Sequence, residues 1–149
     1  MKNYLLLIVV IAAVATYAFV ERTPTSLEVP TAVNINVDHG DSKFTQAFAD
    51  HSSNIRVQGQ GTVVKILSDD TEGSRHQRFI IRLDSGQTLL IAHNIDLAPR
   101  VSPLNTGDLI SFNGEYEWNN KGGVIHWTHH DPAGRHAPGW IKRDGQIFQ

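Results

Sequence analysis

Residues 109–130 read LISFNGEYEWNNKGGVIHWTHH, two alternating runs around one turn. In the first, Leu109 to Trp118, the apolar Ile110, Phe112, Tyr116 and Trp118 fall on one side. Ser111, Asn113, Glu115 and Glu117 fall on the other, the period of two that a half-buried strand requires. Asn119-Asn120-Lys121-Gly122 is turn chemistry. The second run, Gly123 to His130, puts Ile125 and Trp127 on the apolar side and His126, Thr128 and His130 on the polar side. An antiparallel hairpin keeps both apolar sides together only when paired residue numbers sum to an odd value. A turn centred between Asn120 and Lys121 therefore sets Glu115 opposite His126 and Glu117 opposite Val124. Opposed residues have Cβ atoms roughly 5 Å apart. The hairpin is thus expected to bring a carboxylate to an imidazole on its outer face, raising the pKa of the ring and fixing its tautomer. A surface ion pair of little energetic weight uses the same register.

Three further strands precede this hairpin. Val57 to Leu67 carries Gly59 and Gly61, which predict a bulge or a barrel-corner bend. A phosphate loop is disfavoured there, because no helix and no Lys-Ser/Thr follow. Arg75 to Leu83 alternates Phe79, Ile81 and Leu83 with Arg78, Ile80 and Arg82. Asp84-Ser85-Gly86-Gln87 turns the chain into Thr88 to Asn94, apolar on both faces until it ends in HNID. Five short strands with these connections predict an all-β fold over residues 54–149. It is a small five-stranded barrel of the oligonucleotide/oligosaccharide-binding (OB) kind, with the third strand beside the fifth. Val63, Phe79, Ile81, Leu90, Phe112 and Trp127 are the expected core. A sandwich fits less well, since it usually needs about seven strands.

Residues 21–53 read as a polar tether with Pro24 and Pro30, ending in a short helix from Ser42 to His51. Ser42 is the expected N-cap, and Phe44, Ala47 and Phe48 fall at i, i+3 and i+4. Ahead of them Lys2 precedes an apolar run from Tyr4 to Val20, YLLLIVVIAAVATYAFV. Residues 1–20 are expected to be a signal anchor or a signal peptide, with Ala13-Val14-Ala15 as a cleavage site. The positive N-terminal flank then directs the rest of the chain to the periplasmic side of the cell envelope, with residues 4–20 in the membrane.

Composition excludes several classes. There is no cysteine, hence no disulfide, thiolate site or Cys nucleophile. The net charge is −2, and Lys/Arg balance Asp/Glu from Asn54 onward, so non-specific nucleic-acid binding, which needs a basic stripe, is not expected. No GxSxG, HExxH or P-loop is present.

The chemistry concentrates in residues 122–140, GGVIHWTHHDPAGRHAPGW, with four of the eight histidines at the point where a strand runs into a loop. His126 with Glu115 is the candidate catalytic pair. His76, Arg78, His93, Asn94, Asp96, Arg100, Glu117 and Arg135 are candidate ligand-binding residues. His76, His93, Arg100, Glu115, His126 and His130 are expected to converge at one rim of the barrel. His130, Asp131 and His136 are the candidate metal ligands, on condition that the loop curls, and a divalent metal is the one cofactor the residues suggest. These residues point to two functions. One is a binding module holding a polar or anionic small ligand, or an envelope protein. The other is a metal- or His-dependent hydrolase of the phosphodiesterase or nuclease kind, with His126 as general base.

The motifs VQGQGTVV, EGSRHQRFI, SGQTLLIAHNIDLAPR, GEYEWN, GGVIHWTHHDP, GRH and GWI resemble those of a family of uncharacterised bacterial exported or membrane-anchored domains. The resemblance implies a compact domain behind an export signal and carries no activity with it. A fainter likeness is to thermonuclease-like barrels, through Asp69-Asp70, Gly86-Gln87 and Ile95 to Arg100. Arg100 stands where that family carries its catalytic glutamate, and an extra residue precedes Pro99, so the likeness implies a fold and not the nuclease mechanism.

Overall fold

The computed structural model describes residues 40–149. The expected anchor (1–20) and most of the tether lie outside them. Among the described residues no helix is long and apolar enough to cross a membrane.

The described residues form one helix, α1 (Ser42–Ala49), and seven strands. These are β1 (Ile55–Ile66), β2 (His76–Arg82), β3 (Thr88–Asn94), β4 (Leu109–Glu117), β5 (Val124–His126), β6 (Trp140–Arg143) and β7 (Gln146–Phe148). The sheet runs β1-β2-β3-β5-β4, and β1 also pairs with β4, which closes a five-stranded barrel. β3 and β5 are neighbours, as expected from the sequence; they run parallel, and the other barrel pairings are antiparallel. The length of β1 makes closure possible. Its first eight residues pair with β4, and its last five, from Thr62 on, turn to β2.

Alternation sets which residues fill the barrel. Val57, Val63, Phe79, Ile81, Leu89, Ile91, Ile110, Phe112, Tyr116 and Ile125 are buried. Leu90, expected inside, lies on the outer side instead. Ile81 is inward and is paired with Leu89, and opposed residues share a face. The glycines of β1 do not make its bulge, which falls between Val63 and Lys65. Gly59 has another role. A Cβ there would stand 2.9 Å from the Phe44 ring, so its bareness admits the helix. Phe44 is fully buried against Phe112 and Tyr116, with ring centroids at 5.8 and 6.4 Å. Helix α1 thus plugs the barrel with one apolar face, and its N-cap is Asp41 rather than Ser42.

Two elements differ from expectation. The fifth strand stops at His126, because Trp127 adopts a left-handed φ of 50°. The following loop folds back so tightly that a Cβ at Gly139 would lie 2.0 Å from the Trp127 carbonyl oxygen. Trp127 is therefore half-buried outside the core, and Thr128 turns inward in its place. Beyond the five barrel strands, β6 and β7 form a hairpin on β4, with Ile141 and Phe148 buried.

Candidate functional site

The β4–β5 hairpin has the register read from its alternation: Glu115 pairs with His126 and Glu117 with Val124. Two carboxylates and an imidazole therefore share the outer face. His126 Nε2 lies 3.8 Å from Glu115 Oε1 and 3.7 Å from Glu117 Oε1. These distances exceed a hydrogen bond. The Nε2 atom is screened from solvent and has no hydrogen-bond partner. Burial pushes the His126 pKa down, against the opposing pull of Glu115 and Glu117, so the net shift is opposite to the rise expected from the pair alone.

The 129–139 loop closes over this face. Asp131 accepts the backbone N–H groups of Ala133 on Oδ1 and of Arg135 and His136 on Oδ2, which holds its carboxyl below the usual range. Gly139 N–H donates to the His129 carbonyl at 3.0 Å, and Arg56 Nη2 donates to the Pro138 carbonyl. The closed loop lays His136 flat on Trp127, with centroids 3.6 Å apart and planes at 13°. His136 Nδ1 then faces the second oxygen of Glu115 at 3.8 Å. Stacking on a rigid indole holds the imidazole in place without restricting its ring nitrogens.

On its other side His126 borders a cleft of about 290 Å³, whose lining includes His76, Asn94, Leu97, Trp127 and His129. Ala92 also lines it, offering a small side chain where a larger one would fill the space. His76 and Asn94 are register partners at the ends of β2 and β3, which is why they meet here.

Of the candidate site residues, His76, Asn94 and His126 line one cleft, and Glu115, Glu117 and His136 stand beside His126. The others are placed elsewhere. His93 is fully buried, with Nδ1 2.8 Å from Thr128 Oγ1 and Nε2 3.0 Å from the Pro99 carbonyl. The carbonyl only accepts, so Nε2 carries the proton and Nδ1 accepts from the Thr128 hydroxyl. It is an interior residue, since β3 faces inward at odd positions from Leu89 to His93. Arg100 pairs with Asp69, and Arg78 donates to the Ser68 carbonyl and lies 3.9 Å from Asp70. Asp96 accepts the N–H and Nε–H of Arg75, both at 2.7 Å. Arg135 and His130 are exposed on the loop. The expected trio His130, Asp131 and His136 is not a convergent donor group among the described residues, and Asp131 spends both oxygens on backbone N–H groups. Among the described residues, the group of three whose donor atoms approach within 4.8 Å is Glu115, Glu117 and His126. Sequence reasoning missed Trp127, His129 and Arg56. The glycine and proline punctuation of residues 132–139 signalled a folded-back loop, but not what it would cover.

Residues 28–149 match the model of a family described as a protein of unknown function, DUF3465. The chain belongs to the DUF3465 family. The matched span begins beyond the apolar run and takes in every residue of the candidate site. No curated protein matches the chain.

Proposed function

We propose that this DUF3465 chain is a binding module of the cell envelope, held on the periplasmic side by residues 4–20, with its ligand site on the outer face of β3 and β5. Its barrel reads as OB-like in strand order, and barrels of that kind bind ligands on an open outer face. The observation that carries the reading is the cleft beside His126. It is concave, small and lined by an indole, imidazoles and an amide.

The same geometry narrows the ligand. An anion needs unengaged cations, and Arg75, Arg100 and Arg78 are held by Asp96, Asp69, Asp70 and the Ser68 carbonyl. The adjoining charge is that of Glu115 and Glu117. A neutral or cationic polar ligand fits better than an anionic one, whether small or a side chain presented by an envelope protein. Hydrolysis is a second reading, favoured by His126 alone, since a ring with a lowered pKa is neutral near pH 7 and competent as a base.

A panel of small amines, sugars and carboxylates titrated into isotope-labelled protein tests the proposal. Amide shifts from an amine or sugar should cluster at His76, Asn94 and Trp127 and vanish in Asn94→Leu. Shifts confined to other faces, or carboxylates alone producing them, would refute it.

A further inference from the structure

We infer that Glu115, Glu117 and His126 form a binding site for a divalent first-row transition metal, with zinc as the closest chemical match. The inference rests on the proposed use of this face, and it names a ligand for that face. Three donors of the right kind come from two paired strands, so backbone hydrogen bonds and not loop chance set their spacing. Donors about 2.1 Å from a tetrahedral ion stand about 3.4 Å apart. The observed 3.7 and 3.8 Å from His126 Nε2 to the two carboxylates are a few tenths of an ångström wider. A rotamer adjustment of either glutamate closes that difference.

Two further facts separate this cluster from ordinary surface ion pairs. The ring nitrogen is screened from water, and the carboxylate oxygens it faces stand beyond ordinary hydrogen-bond length, an arrangement that a bound ion would satisfy better. The nearest guanidinium acts on Glu115 through its charge but makes no ion pair within 4.0 Å of either carboxylate. Arg56 is the register partner of Glu115, but its Nη2 is directed to the Pro138 carbonyl. The loop also brings His136 to the far oxygen of Glu115. One imidazole with two carboxylates suits zinc, manganese or iron(II) and does not suit calcium, which takes an all-oxygen cage.

The test is titration of zinc(II), and of cobalt(II) as its spectroscopic stand-in, into the full chain in detergent, followed by calorimetry and visible absorption. One ion per chain is expected, with a cobalt spectrum of low coordination number. His126→Ala and Glu117→Gln should each weaken binding at least about tenfold. Glu117→Gln is close in shape and its side chain is partly exposed, so its melting temperature should match the wild type and exclude misfolding. Equal affinity in wild type and Glu117→Gln would overturn the inference, as would a bound ion that broadens His130 rather than His126. If no ion binds while amines or sugars still shift the cleft amides, the metal site fails and the binding module stands. If the ion binds and the panel does not, the reverse holds.

Discussion

His93 is the titratable side chain whose burial has the largest consequence. Desolvation takes its pKa from 6.5 to about 4, outweighing the Pro99 carbonyl that pulls the other way. The neutral ring satisfies both nitrogens, one donating to Pro99 and one accepting from Thr128. A second proton would require charging a group sealed from water. The folded pKa lies below the unfolded one, so the unfolded chain binds the extra proton between those values. Stability is then fully present above about pH 6.5 and falls as the pH drops toward 4. The loss amounts to roughly 3 kcal/mol once the pH is below both values. His126 contributes in the same direction, so a comparison isolates His93. Urea unfolding from pH 7.5 to 4.5 should show a steep decline in the wild type and a flatter one in His93→Gln, whose amide can still donate and accept. Parallel profiles would assign the acid sensitivity elsewhere.

Helix α1 and the terminal hairpin look peripheral in the sequence, and both supply core. Phe44 is fully buried inside the mouth of the barrel, and Ile141 lies in the same core cluster from β6. Phe44→Ala should cost about 3–5 kcal/mol and Ile141→Ala about 2–5 kcal/mol in denaturant unfolding, whereas an exposed appendage would lose almost nothing. Values below about 1 kcal/mol for Phe44→Ala would mean that the barrel is complete without its plug. These elements also show what the chain makes legible. The hairpin register was readable because both strands of 109–126 alternate strictly, and a one-residue slip would invert every side chain. The β6–β7 hairpin carried a signal too, Asp144-Gly145, a strong local mark of a two-residue turn. β3 was readable as a strand but not in phase, since apolar residues on both faces give no alternation to follow. The site was legible where strand pairing builds it, in Glu115 and His126. It was not legible where a single left-handed residue, Trp127, redirects the chain, because a bulky residue in that conformation has no sequence mark.

The molecule as a whole pairs a neutral, cysteine-free barrel with an apolar N-terminal run, and the proposed periplasmic location rests on this combination. On this proposal Lys2 before residues 4–20 keeps the N-terminus in the cytoplasm, and a single crossing exports the chain that follows. A barrel without cysteines folds alike in oxidising and reducing surroundings, so export costs it nothing through mispaired thiols. On this proposal the polar residues 21–39 serve as the tether between the apolar run and the domain. A phosphatase that is active only outside the cytoplasm, fused after Gln149, should therefore be active. A fluorescent reporter that matures only inside should be dark at the same position. Moving the positive flank reverses the expectation. Lys2→Glu with two lysines introduced directly after Val20 should lower phosphatase activity and raise fluorescence, because positive charge is retained on the cytoplasmic side. An active phosphatase in both versions would mean that the run is cleaved or inserted without regard to charge. A dark phosphatase in the unaltered chain would place the barrel, and its ligand, in the cytoplasm.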